Sequence, residues 1–321
     1  MRIGRIKRVL LWTAGVVVAL LALLVYTFTP AKLDLAAYPE PVFQGTVPEP
    51  SSLPQTTLSL IECGKMMSKQ VFVFRGGKLS EGYDSGMAAV LVRHPKGIFL
   101  FDSGFGSNVD EDVKTIPALM RRLTTYDKET SAAAQLKAHG FDPGEIKMAI
   151  ISHSHWDHIS GLEDFPQAEA WFSQEEVDYI PTLPSSELIQ QMKGKLKLHG
   201  FEFSGPGYEN FDRSLDLFAD GSIVLVPLRG HTPGSVGMFV NLRSGKRFFF
   251  IGDLTWALEG IELPAERPWM SRRLVDLNEA EVRASIVKVH HLMTRYPELV
   301  IVPAHDRRVH NWIANFPEYE R

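Results

Sequence analysis

The chain has 321 residues, 45% of them hydrophobic, and a formal net charge of −4, enough for one large domain or two small ones. No basic block lies outside the extreme N-terminus, so nucleic acid has no electrostatic claim as a partner. The single cysteine, Cys63, rules out an intrachain disulfide and reads as a small buried apolar residue.

Arg2, Arg5, Lys7 and Arg8 precede an uncharged run from Val9 to Phe28. Twenty helical residues at about 1.5 Å each span about 30 Å, the hydrocarbon thickness of a bilayer. After the run, Lys32 is balanced by Asp34 and Glu40, so the charge bias puts the N-terminus inside and the bulk outside. A cleaved signal peptide is the alternative, but its apolar region is usually shorter, and Thr27-Phe28-Thr29-Pro30 is a poor cleavage site. Prolines 30, 39, 41, 48, 50 and 54 then suit an extended tether. The expected organisation is a cytoplasmic basic segment over 1–8, a transmembrane anchor over 9–29, a tether over 30–55 and a folded domain over 56–321. In a bacterium this makes a single-pass protein of the inner membrane with a periplasmic domain.

Within the domain, Leu58 to Cys63, Gln70 to Phe74, Met87 to His94 and Gly97 to Phe101 read as strands, the last two joined by a turn at Pro95-Lys96. Glu129 to Ala138 reads as a helix stopped at His139-Gly140. Ala149-Ile150-Ile151 ends a buried strand, and Ala168 to Phe172 is a strand followed by a helix opening at Ser173, with Glu176 completing a capping box. Residues from Ser185 to Gly207 read as helix then loop. Ser222 to Pro227, Val236 to Leu242, Arg247 to Ile251 and Leu299 to Val302 are strands, and Asn278 to Tyr296 is a helix with an apolar stripe. Strands flank helices in both halves, which suggests two sheets packed face to face with helices outside.

The chemistry concentrates in Ser152-His153-Ser154-His155-Trp156-Asp157-His158, directly after the strand ending at Ile151. On extended backbone His153 and His155 point the same way and can grip one ion, while Asp157 and His158 in the following turn face a second. Such crowding of imidazoles and a carboxylate is unfavourable without a cation. Three more apolar strands run into loops that each offer one ligand: His231 in Gly230-His231-Thr232-Pro233-Gly234, Asp253 after Ile251-Gly252, and His305 after Pro303-Ala304.

With these residues in view, the chain resembles the metallo-β-lactamase-fold hydrolases across roughly residues 56 to 310. The family's His-X-His-X-Asp-His motif is met by His153, His155, Asp157 and His158, and its later ligands by His231, Asp253 and His305. The Phe101-Asp102-Ser103-Gly104 turn also matches. The resemblance implies a four-layer αββα sandwich. It implies one metal held by His153, His155 and His231, another by Asp157, His158 and His305, and Asp253 bridging both. Many β-lactamases of the family use a cysteine where Asp253 stands, and Cys63 lies on the wrong side of the motif for that role. The subfamily most similar is the quorum-quenching acyl-homoserine lactonases, with one departure: a tyrosine common there three residues after the bridging aspartate is replaced by Trp256.

The expected function is therefore opening of a lactone or ester, such as an N-acyl homoserine lactone, by attack of a metal-bridging hydroxide. Asp157 would carry the proton to the leaving oxygen, and Asp253 would be the second catalytic carboxylate. Zinc is the default for a His/Asp site, with iron, manganese or cobalt also accepted. Asp102 is a candidate to orient a ligand imidazole. Met66, Met67, Phe105, Trp156, Trp256, Trp269 and Met270 are candidates for an apolar groove that takes a lipophilic substrate. The rivals are a thioester hydrolase of glyoxalase II type, with Arg307-Arg308 as its basic patch, and a mononuclear-iron sulfur dioxygenase-like enzyme. A non-catalytic binding protein with a structural metal fits poorly, because structural zinc sites are closed and four-coordinate.

Overall fold

A computed structural model describes residues 2–45 and 47–321; Met1 of the basic segment and Thr46 of the tether lie outside the described residues. Two sheets stack face to face. The first has seven strands: β1 (Thr57–Lys69), β2 (Gly82–His94), β3 (Gly97–Phe101), β4 (Thr125–Lys128), β5 (Met148–Ile150), β6 (Glu169–Ser173) and β7 (Lys197–Phe201). Their order is β4-β1-β2-β3-β5-β6-β7, antiparallel on the β1 side and parallel from β3 to β7. The second has five: β8 (Leu215–Asp216), β9 (Ile223–Pro227), β10 (Val236–Asn241), β11 (Arg247–Phe250) and β12 (Leu299–Val302), in the order β12-β11-β10-β9-β8.

The strand sequences explain the layering. β9, β10 and β11 are near-continuous apolar runs, the pattern of strands covered on both faces. One face of each sheet meets the other: Leu60, Val92, Phe101 and Ile150 pack against Leu225, Met238, Phe250 and Val302. The outer face of the second sheet is covered by the helix Glu279–Arg295, whose Val282, Ile286, Val289 and Leu292 lie on Phe249 and Ile301. Asn278 caps that helix by accepting from the amides of Ala280 and Glu281. The first sheet is covered by short helices contributing Leu136, Ile159 and Ile180. This is the helix–sheet–sheet–helix sandwich expected from the resemblance.

Three local readings need correction. Gln70–Val73 is a helical turn rather than a strand: β1 already runs to Lys69, and the Val-Phe-Val-Phe alternation is spent on burying Val71 and Val73. The loop expected before Gly207 contains β7, formed by parallel pairing with β6 although Lys-Leu-His-Gly-Phe has weak strand character. The helix expected from Glu129 begins at Ala132 after Ser131. The proline-rich segment also differs from a free tether. Leu33 donates its amide to Pro264, Gln44 bridges Glu209, and Phe43 packs on the second sheet's helical layer under the guanidinium of Arg295.

Ahead of it, Arg2–Phe28 is one helix, and Gly4–Phe28 is long and apolar enough to cross a membrane. Among the described residues, its last turn is what meets the domain: Thr27 is buried, and Arg75 donates to the carbonyls of Tyr26 (2.8 Å) and Thr29 (3.1 Å).

Because β9, β11 and β12 run in one direction, their C-terminal loops emerge along one edge. The loop after β5 joins them there, where the amide of Val236 donates to Ser152. Phe101 and Phe250 meet across the inter-sheet core at 6.1 Å. Phe101→Ala is expected to lower stability by about 3–5 kcal/mol in denaturant melts; a loss below about 1 kcal/mol would mean the sheets are not held by this contact.

Candidate metal centre

The four loops bring together all seven side chains singled out in the sequence: His153, His155, Asp157, His158, His231, Asp253 and His305. His153, His155 and His231 face one another with ring centroids 4.6 Å apart in each pair. His153 Nε2 and His231 Nε2 lie 3.0 and 2.9 Å from His155 Nδ1, so three nitrogens converge on a common point. Beside them, His158, His305 and Asp157 form a second group, with His305 Nε2 3.4 Å from Asp157 Oδ2. Asp253 stands between the groups. Its Oδ1 is 2.9 Å from His305 and 3.2 Å from His158, while its Oδ2 is 3.5 Å from His231.

Whether these residues suit a cation is tested by their hydrogen bonds. His158 Nε2 and Asp253 Oδ1 are fully buried, close to each other, and have no aligned hydrogen-bond partner. Buried polar atoms left so are costly, and lone pairs aimed at one point are what a metal satisfies. Two of the imidazoles, His153 and His155, are in the form a cation needs. Burial, reinforced by the neighbouring imidazoles, pushes His153 and His155 well below the ordinary histidine pKa, leaving neutral donors. Burial opposes charge on His158 too, but Asp102, Asp253 and Asp157 outweigh it and hold its pKa well above normal. His305 is raised likewise against its burial, chiefly by Asp253. Burial would raise Asp253, yet His305 and His158 hold it well below the carboxylate range.

A surrounding tier fixes these rings. Asp102, in left-handed backbone at φ 54°, accepts from the amide and hydroxyl of Ser152 and lies 2.8 Å from His158 Nδ1. This is the orienting position considered for it in the sequence. His305 Nδ1 is 2.9 Å from the carbonyl of Gly86. His231 Nδ1 is 2.9 Å from Asp276, which Arg267 holds in turn at 2.7 Å. Glu176 is buried and accepts from the amide and hydroxyl of Ser154, from Thr232 Oγ1 and from the amide of Gly234, tying the first histidine loop to the His231 loop. It is thus no reciprocal capping box: Ser173 caps the Glu176 amide, but the carboxylate serves the site instead. Gly234 is required, since a Cβ there would lie 2.2 Å from the Glu176 amide nitrogen. Asp276, Arg267 and Glu176 were not foreseen as site residues; their segments carry no ligand spacing.

A cleft of ≈ 240 Å³ opens above the cluster, with Asp157, His231, Asp253 and His305 in its floor. Met66, Trp156, Trp256 and Met270 are in its walls, joined by Phe72, Met120 and Leu274. Met67, Trp269 and Phe105 are not in its lining. The Phe105 ring lies behind Trp156, 5.3 Å away, in the core of the first sheet. Trp256 spends its indole N–H on Asp253 Oδ2 at 2.8 Å, and Arg267 stacks 4.7 Å from its ring. Cys63 is buried in β1, its thiol pushed up to about 12 by burial and then Glu62.

The sequence profile of the metallo-beta-lactamase superfamily matches residues 85–305. A probable metallo-hydrolase of Mycobacterium tuberculosis is 27% identical over 231 residues, covering 68% of this chain and 73% of that protein. The N-acyl homoserine lactonase AttM of Rhizobium radiobacter is 25% identical over 197 residues, 57% of this chain and 71% of its own. Among solved structures, an N-acyl homoserine lactone hydrolase with N-hexanoyl-L-homoserine bound at its catalytic metal centre superposes with TM-score 0.67. It is 17% identical and covers 84% of this chain and all of its own. The dizinc quorum-quenching lactonase AidC superposes with TM-score 0.54 at 15% identity, covering 83% of this chain and 90% of its own.

Two expectations follow for metal loading. Since neighbouring carboxylates raise the pKa of His158 and His305 above the ordinary histidine value, metal competes with protons for these imidazoles, and affinity falls as pH falls. Calorimetry in buffers of different ionisation enthalpy should show net proton release near pH 7; none would mean these imidazoles are not displaced. Asp276→Ala is expected to weaken metal retention against a chelator about 10–100-fold with unchanged circular dichroism. Unchanged retention would free His231 from any dependence on Asp276.

Proposed function

The chain belongs to the metallo-beta-lactamase superfamily, and from that premise we propose that it is a membrane-anchored binuclear metallohydrolase that opens a lactone or other carboxylic ester. His153, His155 and His231 would hold one divalent ion, and Asp157, His158 and His305 the other, with Asp253 shared. The observation that carries this reading is the pair of converging donor groups with Asp253 spanning them, its Oδ1 facing one group and its Oδ2 the other. Zinc is the default ion for such donors, and iron, manganese or cobalt would also be accepted.

Bound ions there supply a water of lowered pKa and a Lewis acid beside the substrate carbonyl. The protein's own groups do the rest. Asp157 is the ligand carboxylate with most access to the cleft, which suits it to carry a proton to the departing alkoxide. Trp256 holds Asp253 in place through its indole N–H and so is not free to assist the carbonyl. That role, given to a tyrosine in the lactonases this chain resembles, is left to the metals and water. Apolar walls exclude water from the reacting centre and favour an acyl substituent.

The relatives named as N-acyl homoserine lactonases and the neighbour with a homoserine product at its metal centre support an acyl lactone as substrate. A glutathione thioester is disfavoured by the paired state of its candidate patch. Arg307 is 2.9 Å from Glu129, and Arg308 is held by Glu259 and Asp306. The helix Gly4–Phe28 supports anchoring, with the basic N-terminus inside and the domain on the far side of the inner membrane.

A panel of acyl lactones, aryl esters, thioesters and β-lactams, run on the full chain with defined metals, tests the reading. Lactone and aryl ester turnover is expected, and Asp157→Asn should lower kcat by about 10²–10⁴-fold, with metal content measured alongside. Turnover of thioesters without lactones or esters would contradict it.

A further inference from the structure

We propose that the rim of the cleft is itself a membrane-contact surface, so that an acyl chain passes from the bilayer interface directly into the site. The inference rests on the ester-hydrolase reading only for the identity of the guest; the surface is argued from the way the helix joins the domain. Phe28, at the end of the apolar helix, meets Phe72 edge to face at 6.1 Å. Phe72 is also a wall of the cleft. Its carbonyl accepts from Ser271 Oγ at 2.6 Å, which docks the helix Trp269–Val275 against the same turn. That helix packs on the N-terminal one and lines the cleft with Met270 and Leu274.

The cleft rim and the end of the apolar helix are therefore one packed unit, one residue deep at Phe72. At about 1.5 Å per residue, Gly4–Phe28 reaches across a hydrocarbon core of about 30 Å, so a rim touching Phe28 lies at the membrane surface. The exposed residues there have the matching chemistry. Met270 is 37% and Leu274 51% accessible, and Leu79 67%. Leu79 follows the loop at Gly76, where a Cβ would lie 3.1 Å from Pro30, two residues beyond the helix end. Lys69 and Lys78, on the segments flanking Phe72, and Arg121 and Arg122, next to the cleft residue Met120, are exposed, with Glu81 on the Leu79 loop and Glu187 in the cleft lining as acidic neighbours. Apolar side chains flanked by these cations suit the acyl–headgroup boundary of an anionic bilayer. Arg75, donating to the last carbonyls of the helix, fixes its exit direction and hence how the rim is presented.

The test uses the full chain in phosphatidylethanolamine–phosphatidylglycerol bilayers, with nitroxides at Leu79→Cys, Leu274→Cys and Ser244→Cys. Ser244 sits in the exposed turn before β11, at the opposite end of that strand from Asp253; Cys63 is buried and takes no label. Expected are labels at 79 and 274 that collide with oxygen more than with a water-soluble nickel chelate, and the reverse at 244. Labels at 79 and 274 as open to nickel as at 244 would overturn the proposal. So would labels shielded from both quenchers, which would mark a protein neighbour. In parallel, Leu79→Glu should raise KM about tenfold for a long-chain lactone in the bilayer and leave a short soluble lactone unchanged. An equal effect on both substrates would contradict entry from the membrane. The label depths report on the surface whether or not any lactone turns over, so failure of the assigned reaction and failure of the surface are separately visible.

Discussion

Five imidazoles, four of them buried and His155 half-buried, and two carboxylates meet at one edge of the sandwich, and their mutual electrostatics shape everything near them. Left alone, such a set is unfavourable. Histidines crowd histidines at ring separations of 4.1–5.2 Å, and some inward-facing atoms have no aligned partner. Bound cations would resolve the frustration by accepting the lone pairs left without an aligned partner. The fold's task is to hold seven side chains from four loops in that arrangement against their repulsion.

It does so with rigid outer contacts rather than with the donors themselves. Glu176 fastens the His153–His155 loop to the His231 loop through four hydrogen bonds. Asp102 grips Ser152 and His158 together, and the Arg267–Asp276 pair aligns His231. Arg267 also donates to the carbonyl of Asp253 and stacks on Trp256, which in turn donates to the Asp253 carboxylate. Asp253 is thereby held at both its carboxylate and its backbone carbonyl. Trp256 is thus committed to Asp253 rather than free to face the cleft with its indole N–H.

What could be read from the residues alone divides by the range of the forces involved. His153, His155, Asp157 and His158 were visible because coordination demands close spacing on one turn, and His231, Asp253 and His305 because each follows an apolar strand. Asp276, Arg267 and Glu176 were not visible: an acid in a loop or in a first helical turn looks the same whether solvated or bonded to an imidazole. The two-sheet architecture showed in the strand-rich pattern, whereas β7 exists only because β6 offers a parallel edge. Gln70–Phe74 misled because alternation of apolar residues marks a strand only where a neighbouring strand is available. The proline-rich segment was legible as extended but not as docked, since Leu33 and Phe43 find their partners far along the chain.

The central claim is that this edge of the sandwich encloses two cations with Asp253 between them. Anomalous diffraction at the metal absorption edge, from crystals of the full chain grown with the ion, tests it directly. The expected result is two peaks about 3.5–4 Å apart, one among His153, His155 and His231 and one among Asp157, His158 and His305, with the Asp253 carboxylate touching both. A single peak, or an Asp253 side chain turned away from the pair, would contradict the account.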